Sequence, residues 1–275
     1  MWRAAAVLAV PVLTTLQPHG PGRVAHKPAR ALERTAAAPA KTELATQVFP
    51  GESLTYRISI RGIESARGAL AVGKPKKSGK VVALRGAVEP LPLLRGLAPF
   101  SAEMVSYLDS RAGLPQRTVS NRTVDKKALR SETRYLPGGG IEVRVDGGRP
   151  IRLGQRPAGT HDALSALFSL RSRAHKPGER IDIVVLEGRQ RHRVQVVAGE
   201  VETLNTTVGA LSAQRYAGSW RQPGRKPRAF ALWLSADDAR IPVRLEGDTR
   251  LGLARFDLIA YSRPETPMPR RSARR

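Results

Sequence analysis

The chain contains no cysteine, which excludes disulfides, thiolate zinc sites, a cysteine nucleophile and a lipidated cysteine. At 275 residues it needs no such staples, because a globule of that size buries about 75% of its unfolded surface. Aromatic residues are scarce, at 5%. Long apolar runs are absent after the first few residues, so no second segment can cross a bilayer as a helix. Acidic residues are also few: 23 Asp and Glu stand against 47 Lys and Arg, a net charge of +24. Such an excess attracts polyanions, whether nucleic acid, acidic lipid or anionic glycan. An arginine-rich composition spread over solvated faces accounts for it equally well. The dense basic runs, Lys74 to Lys80, Arg221 to Arg228 and the closing PRRSARR, are loop-like.

What is present begins with MWRAAAVLAVPVLTTL, where Arg3 precedes an apolar run from Ala4 to Leu16. That run is too short to span a membrane and suits the middle of an export signal. A buried N-terminal helix is the alternative, and Pro11 counts against it. No clean small-x-small triplet follows Leu16, the nearest lying around Ala36 to Ala40. Residues 1–16 are therefore expected to form a signal-like segment and 17–46 a disordered linker rich in Pro, Ala and basic residues. A single domain is expected over 47–262, followed by a basic disordered tail over 263–275. The expected product is exported and soluble rather than integral to a membrane.

Within that domain Leu54, Tyr56, Ile58 and Ile60 alternate with polar residues, the period of a half-buried strand. The pattern recurs in GALAVG, KVVALRGAV, AEMVSYLD, QRTVSNRTV, LRSETRYL and IEVRVDGG. It returns in RIDIVVLEG, RHRVQVVAGEVET, RAFALWLS, IPVRLEGD and LARFDLIAYS. Short strands separated by Gly, Pro, Asp and Lys turns predict an all-β fold, mainly an antiparallel meander. One segment differs: Thr160 to Arg173, THDALSALFSLRSR, places Leu164, Leu167 and Phe168 on one helical face. Thr160 or Asp162 can cap it, and Lys176-Pro177-Gly178 stops it. A lone helix needs an apolar partner, so it is expected across the concave face or open end of a strongly curved sheet. The Pro-rich stretch Glu89 to Phe100 is expected either to cover a groove entrance or, preferably, to pack on the core.

Candidate chemistry is thin. Asp237 and Asp238 adjoin in WLSADDARIPVRLE, between two alternating runs. Aspartate favours turns, and Pro242 suits the start of the returning strand. A catalytic carboxylate pair must instead face across a cleft, roughly 5–9 Å apart for glycoside chemistry. A hairpin corner is the preferred reading. His161, His175 and His192 show no metal-ligand spacing, and His161-Asp162 is read as a helix-entry cap in preference to a proton relay. Ser165 lacks the glycines of a nucleophile elbow, and Pro137 to Gly140 opens no phosphate-binding helix. No recognition helix, finger or aromatic RNA-binding signature accompanies the positive charge.

Four stretches, taken in order, resemble the bacterial family designated domain of unknown function 3108. They are FPGESLTYRISIRGIESARGAL, DALSALFSLR, KPGERIDIVVLEG and WLSADDARIPVRLE. The positions carrying the resemblance are Phe49, Pro50, Gly51 and Glu52, then Asp162, Leu164, Ser165 and Ala166. Trp233, Leu234, Ser235, Asp237 or Asp238, Arg240 and Pro242 complete the set. The likeness runs from about Val48 to Tyr261. It implies an exported envelope protein of unassigned activity and a curved sheet wrapped around a helix, similar to periplasmic lipoprotein carriers. It implies no cofactor, metal or catalytic residue, and gives these motif positions structural roles.

The leading expectation is a non-enzymatic binding or scaffolding protein of the periplasm or cell envelope. Its partner would be a lipid, a lipoprotein, a peptide or an envelope protein, and its basic surface would lie near anionic surfaces. The alternatives are a cytoplasmic basic nucleic-acid-binding protein, or an envelope-polymer hydrolase using Asp238 and Arg240.

Overall fold

The computed structural model describes residues 48–75, 80–95, 100–124, 127–222, 226–249 and 251–264. The signal-like segment, the linker, nearly all of the tail and parts of the basic runs lie outside the described residues. The chain first forms β1 (Ser53–Ile60), β2 (Ile63–Val72), β3 (Val81–Pro90), β4 (Phe100–Asp109), β5 (Pro115–Val124), β6 (Lys127–Tyr135), β7 (Gly140–Val145) and β8 (Ile151–Gln155). It continues with β9 (Thr160–His161), α1 (Ala163–Arg171), β10 (Arg180–Glu187), β11 (Gln190–Thr206), β12 (Gly209–Arg221), β13 (Arg228–Ser235), β14 (Pro242–Thr249) and β15 (Gly252–Ser262). The expected all-β architecture with one short helix is what forms.

All strands belong to one sheet, ordered β8-β7-β6-β5-β4-β3-β2-β1-β15-β14-β13-β12-β11-β10-β9. Every pairing is antiparallel except β9 with β10, which is parallel. The chain meanders outward from β1 to β8, crosses to the opposite edge at β9, and meanders back to pair β15 with β1. That crossing dictates the shape. Four residues, Arg156 to Gly159, separate Gln155 of β8 from Thr160 of β9, and so few residues reach only about 18 Å. A flat sheet of this width would set the same edges roughly 65 Å apart at about 4.8 Å per strand. The sheet must therefore roll.

The roll passes closure. Neighbouring residues on a strand face opposite sides, and on β10 Val185 joins the main core while Leu186 packs with Tyr135, Ile141 and Val143. The inner side of β6 and β7 thus lies on the outer side of β10. Side chains seal the overlap. Arg191 of β11 donates to the carbonyls of Leu153 (3.1 Å) and Gln155 (2.9 Å), and Arg122 of β5 donates to Glu187 at 2.9 Å. Donating to the terminal strand β8 uses backbone acceptors that would otherwise invite another chain.

The helix α1 packs on part of the concave face, with seven of its nine residues buried. At Gly86 of β3 an added Cβ would lie 2.9 Å from the Leu164 side chain, so a glycine lets helix and sheet approach. The helix is shorter than the sequence suggested: Thr160 and His161 are strand, and it ends at Arg171, before Lys176-Pro177-Gly178. The Pro-rich stretch packs on the core only at its ends, Pro90 and Phe100, and residues 96–99 lie outside the described residues. Pro92 to Leu94 form a short 3-10 turn with no buried residue, and Leu93 is 89% exposed. Leu91, Leu93 and Leu94 stay out of the core, while Phe100 at the end of the stretch joins it.

Candidate functional site

Two groups of buried polar side chains lie at the two ends of α1. At its start Asp162 is 1% exposed. Its Oδ1 accepts from the Ser165 amide at 2.8 Å, and the Ser165 hydroxyl in turn accepts from the Asp162 amide at 2.9 Å, a reciprocal capping box. The other oxygen, Oδ2, accepts from the hydroxyls of Ser106 on β4 (2.5 Å) and Thr118 on β5 (2.6 Å). One carboxylate therefore caps the helix and ties it to two strands. Of the two caps the sequence offered, Thr160 and Asp162, the aspartate is the one used, and its reach to the sheet is new.

His161 beside it is also buried. Burial pushes its imidazole down to about 4, against the pull of Asp162 in the other direction. The sign follows directly. Between about pH 6.5 and pH 4 the unfolded chain binds a proton at this histidine and the folded chain does not. Stability from His161 is thus complete above about pH 6.5 and is lost as pH falls toward 4, by up to roughly 3 kcal/mol. Tm measured across that window should fall in the wild type and fall less in His161→Gln.

At the far end of α1, Arg171 and Glu52 are both fully buried and form a two-pronged ion pair, Nη1 to Oε2 at 3.0 Å and Nη2 to Oε1 at 2.8 Å. Arg171 Nη2 also donates to the Ala239 carbonyl at 3.1 Å, and the guanidinium lies 4.7 Å from the Phe168 ring centre. The hairpin between β13 and β14 closes over this pair. Arg240 Nε donates to the Arg171 carbonyl at 2.8 Å, and the Tyr56 hydroxyl donates to the Pro242 carbonyl at 2.8 Å. Burial pushes the Tyr56 phenol well above its ordinary range, Arg171 opposing. Arg240 takes a left-handed backbone, φ 43°, a strain its contact with the helix end helps to offset.

The sequence-predicted residues thus converge as ties. Phe49 lies beneath Arg263, Pro50-Gly51 form the turn into β1, and Glu52 grips Arg171. Leu164 is core, and Trp233 is buried with its indole N–H donating to Glu202. The Ser235 hydroxyl donates to Asp237 (2.5 Å) and accepts from the Ile241 amide (2.7 Å), while the Asp237 Oδ1 also accepts from the Arg240 amide at 3.2 Å. Asp237 and Asp238 are exposed at the hairpin corner. Asp238→Ala should change the unfolding free energy by less than about 0.5 kcal/mol. Asp237→Ala should cost about 1 kcal/mol, because two donors lose their acceptor. Urea titration of both variants checks the difference.

Sequence reasoning missed Arg171 as a buried residue, although the signal existed: it lies seven residues after Leu164, on the apolar face. It also missed a polar cluster at the ends of β10, β11 and β12 around Glu187, His192, Trp220 and Gln222, whose residues look like ordinary strand-end polarity. A groove of about 640 Å³ crosses β3 to β6. Small residues, Ala87, Ser101, Thr123 and Ala128, line it between Glu89, Glu103 and Arg130. No helix among the described residues is long and apolar enough to cross a membrane.

The beta-barrel-like protein of domain of unknown function DUF1849 from Brucella abortus shares this fold. Its TM-score is 0.55 at 12% identity, covering 80% of this chain and 100% of that one. Looser likenesses include the hypothetical lipoprotein YmcC from Escherichia coli (TM-score 0.32, 12% identity, 81% of this chain and 90% of that one). Another is the lipoprotein LppX from Mycobacterium tuberculosis (TM-score 0.27, 16% identity, 81% and 91%). No curated protein matches the sequence. The family described as Protein of unknown function (DUF3108) matches residues 55–259, which include the helix and hairpin motifs but begin after Phe49 to Glu52. With three quarters of its length so matched, the chain belongs to the DUF3108 family.

Proposed function

We propose that the protein is exported to the bacterial envelope and works there by holding a partner on its concave wall, without chemistry of its own. Residues 1–16 serve as the signal, 17–46 as a tether and 263–275 as a basic tail. The observation that carries this reading is the state of the concave wall. Ile60, Ala102, Met104, Val194, Phe230 and Leu245 pack against the main core yet are only partly buried. A wall of this kind suits a lipid, a lipoprotein tail or an apolar peptide. The motif carboxylates support the same view, because Glu52, Asp162 and Asp237 are each engaged in internal bonds.

Fractionation with N-terminal sequencing of the mature chain tests export. A cleaved start between residues 17 and 47 is expected, and an intact Met1 in the cytoplasm would refute it. Native mass spectrometry of protein purified from its own envelope tests the groove. A co-purified apolar adduct is expected; a bare chain that crosslinks in cells only to itself would overturn the holding role.

A further inference from the structure

Among the described residues, eight buried side-chain polar atoms have no hydrogen-bond partner, and five of them lie together. They are Glu187 Oε2, both ring nitrogens of His192, Trp220 Nε1 and Gln222 Oε1. Trp220 is 5% exposed, His192 1% and Gln222 8%. A buried polar atom left unpaired destabilises the fold, and five of the eight fall in one place. At the ends of α1 the Asp162 and Glu52 carboxylates are bonded, although Arg171 Nε there also lacks a partner.

The five atoms make no hydrogen bond among themselves where the ladder fixes them, and the nearest approach, His192 Nε2 to Glu187 Oε2, is of ion-pair length. In β10 and β11 Val185 pairs with His192 and Glu187 with Gln190, while Val194 pairs with Trp220 of β12. His192 Nε2 stays 3.6 Å from Glu187 Oε2, and the His192 and Trp220 rings meet edge to face at 5.0 Å. Glu187 Oε1 is already engaged by Arg122, and Gln222 Nε2 by Gln190. Gln190 and Gln222 also line a cleft of about 380 Å³ with Leu153, Arg189 and Arg191, where the rolled edges overlap. Gln222 therefore belongs to both the cluster and the cleft.

The pattern of donors and acceptors selects the guest. Trp220 Nε1 only donates, the Glu187 and Gln222 oxygens only accept, and an uncharged imidazole ring does one of each. A phosphate or carboxylate only accepts and would meet the Glu187 carboxylate. An amine only donates and would meet Arg189 and Arg191. Neighbouring hydroxyl groups both donate and accept at adjacent atoms. We propose that this seam is a saccharide-binding site entered through the cleft at Gln222, where a sugar unit's hydroxyls answer Gln222 and the buried atoms of Glu187, His192 and Trp220 behind it. A cleft of this volume lies within the usual range for small-molecule sites, about 300–1,000 Å³. The site adjoins the apolar concave wall at Val194 but does not depend on the holding role proposed for that wall.

The test is solution NMR of the full-length protein, following the indole N–H signals of Trp2, Trp220 and Trp233 during titration with glucose and with N-acetylglucosamine. Trp220→Phe assigns the relevant signal by deleting it. At least one sugar should shift the Trp220 signal saturably and leave that of Trp233, whose N–H is engaged by Glu202, in place. Gln222→Leu, which falls just past the end of β12 and outside the main core, should retain the wild-type spectrum and weaken binding about tenfold, as expected for one lost hydrogen bond. Should Gln222→Leu fail to fold, the ring signals of His192 in the wild type supply the same titration curve. No response to either sugar would overturn the site, as would an equal response to inorganic phosphate. A crystal structure in which ordered water satisfies all five atoms and neither sugar displaces it would also overturn it.

Discussion

Arg171→Ala lowers the unfolding free energy by about 3–5 kcal/mol, because it strands the Glu52 carboxylate in a fully buried position. Equilibrium urea unfolding of the full chain reads the change. The cause is the unpaired charge more than the lost attraction, and a double variant separates the two. Glu52→Gln with Arg171→Met removes both charges while keeping similar volume, and should recover most of the loss. The Ala239 carbonyl and the hairpin would still lose a donor, so recovery should stop short of wild type. A double variant as unstable as Arg171→Ala would show that packing, not charge, accounts for the effect.

Asp162→Ala should cost at least about 3 kcal/mol. Loss of the N-cap contributes about 1 kcal/mol, and stranding the Ser106 and Thr118 hydroxyls adds about 1 kcal/mol or more for each. Asp162→Asn retains a capping oxygen and should be distinctly milder in the same urea experiment. Equal losses from the two substitutions would mean that the bonds to β4 and β5 do not anchor the helix.

Much of the fold was legible because two-residue alternation is a local signal. Leu54, Tyr56 and Ile58 declare β1 without reference to any distant residue. Strand β12 escaped notice because its inward row mixes small and large residues. At Gly218 an added Cβ would strike the Phe230 ring at 2.2 Å, so a space that looks empty in sequence is filled from β13. Strands β8 and β9 were missed for a different reason. Both are short, and β9 exists only because β10 runs parallel beside it. The aspartate pair was legible as a corner because turn chemistry is also local. The seam cluster was not legible, since its residues come from three strands and acquire meaning only when rolling buries them.

The placement of β15 has a consequence for how the molecule assembles. Ser53 stands opposite Ser262, so the first strand made and the last strand made become neighbours in the interior of the sheet. Eight strands lie to one side of that junction and six beyond β15 on the other. A nascent chain can build each wing as it emerges, but the wings have no shared ladder until the final strand arrives. Synthesis stopped short of Gly252 would leave two half-sheets with bare inner margins, competent to pair with other chains instead of with each other.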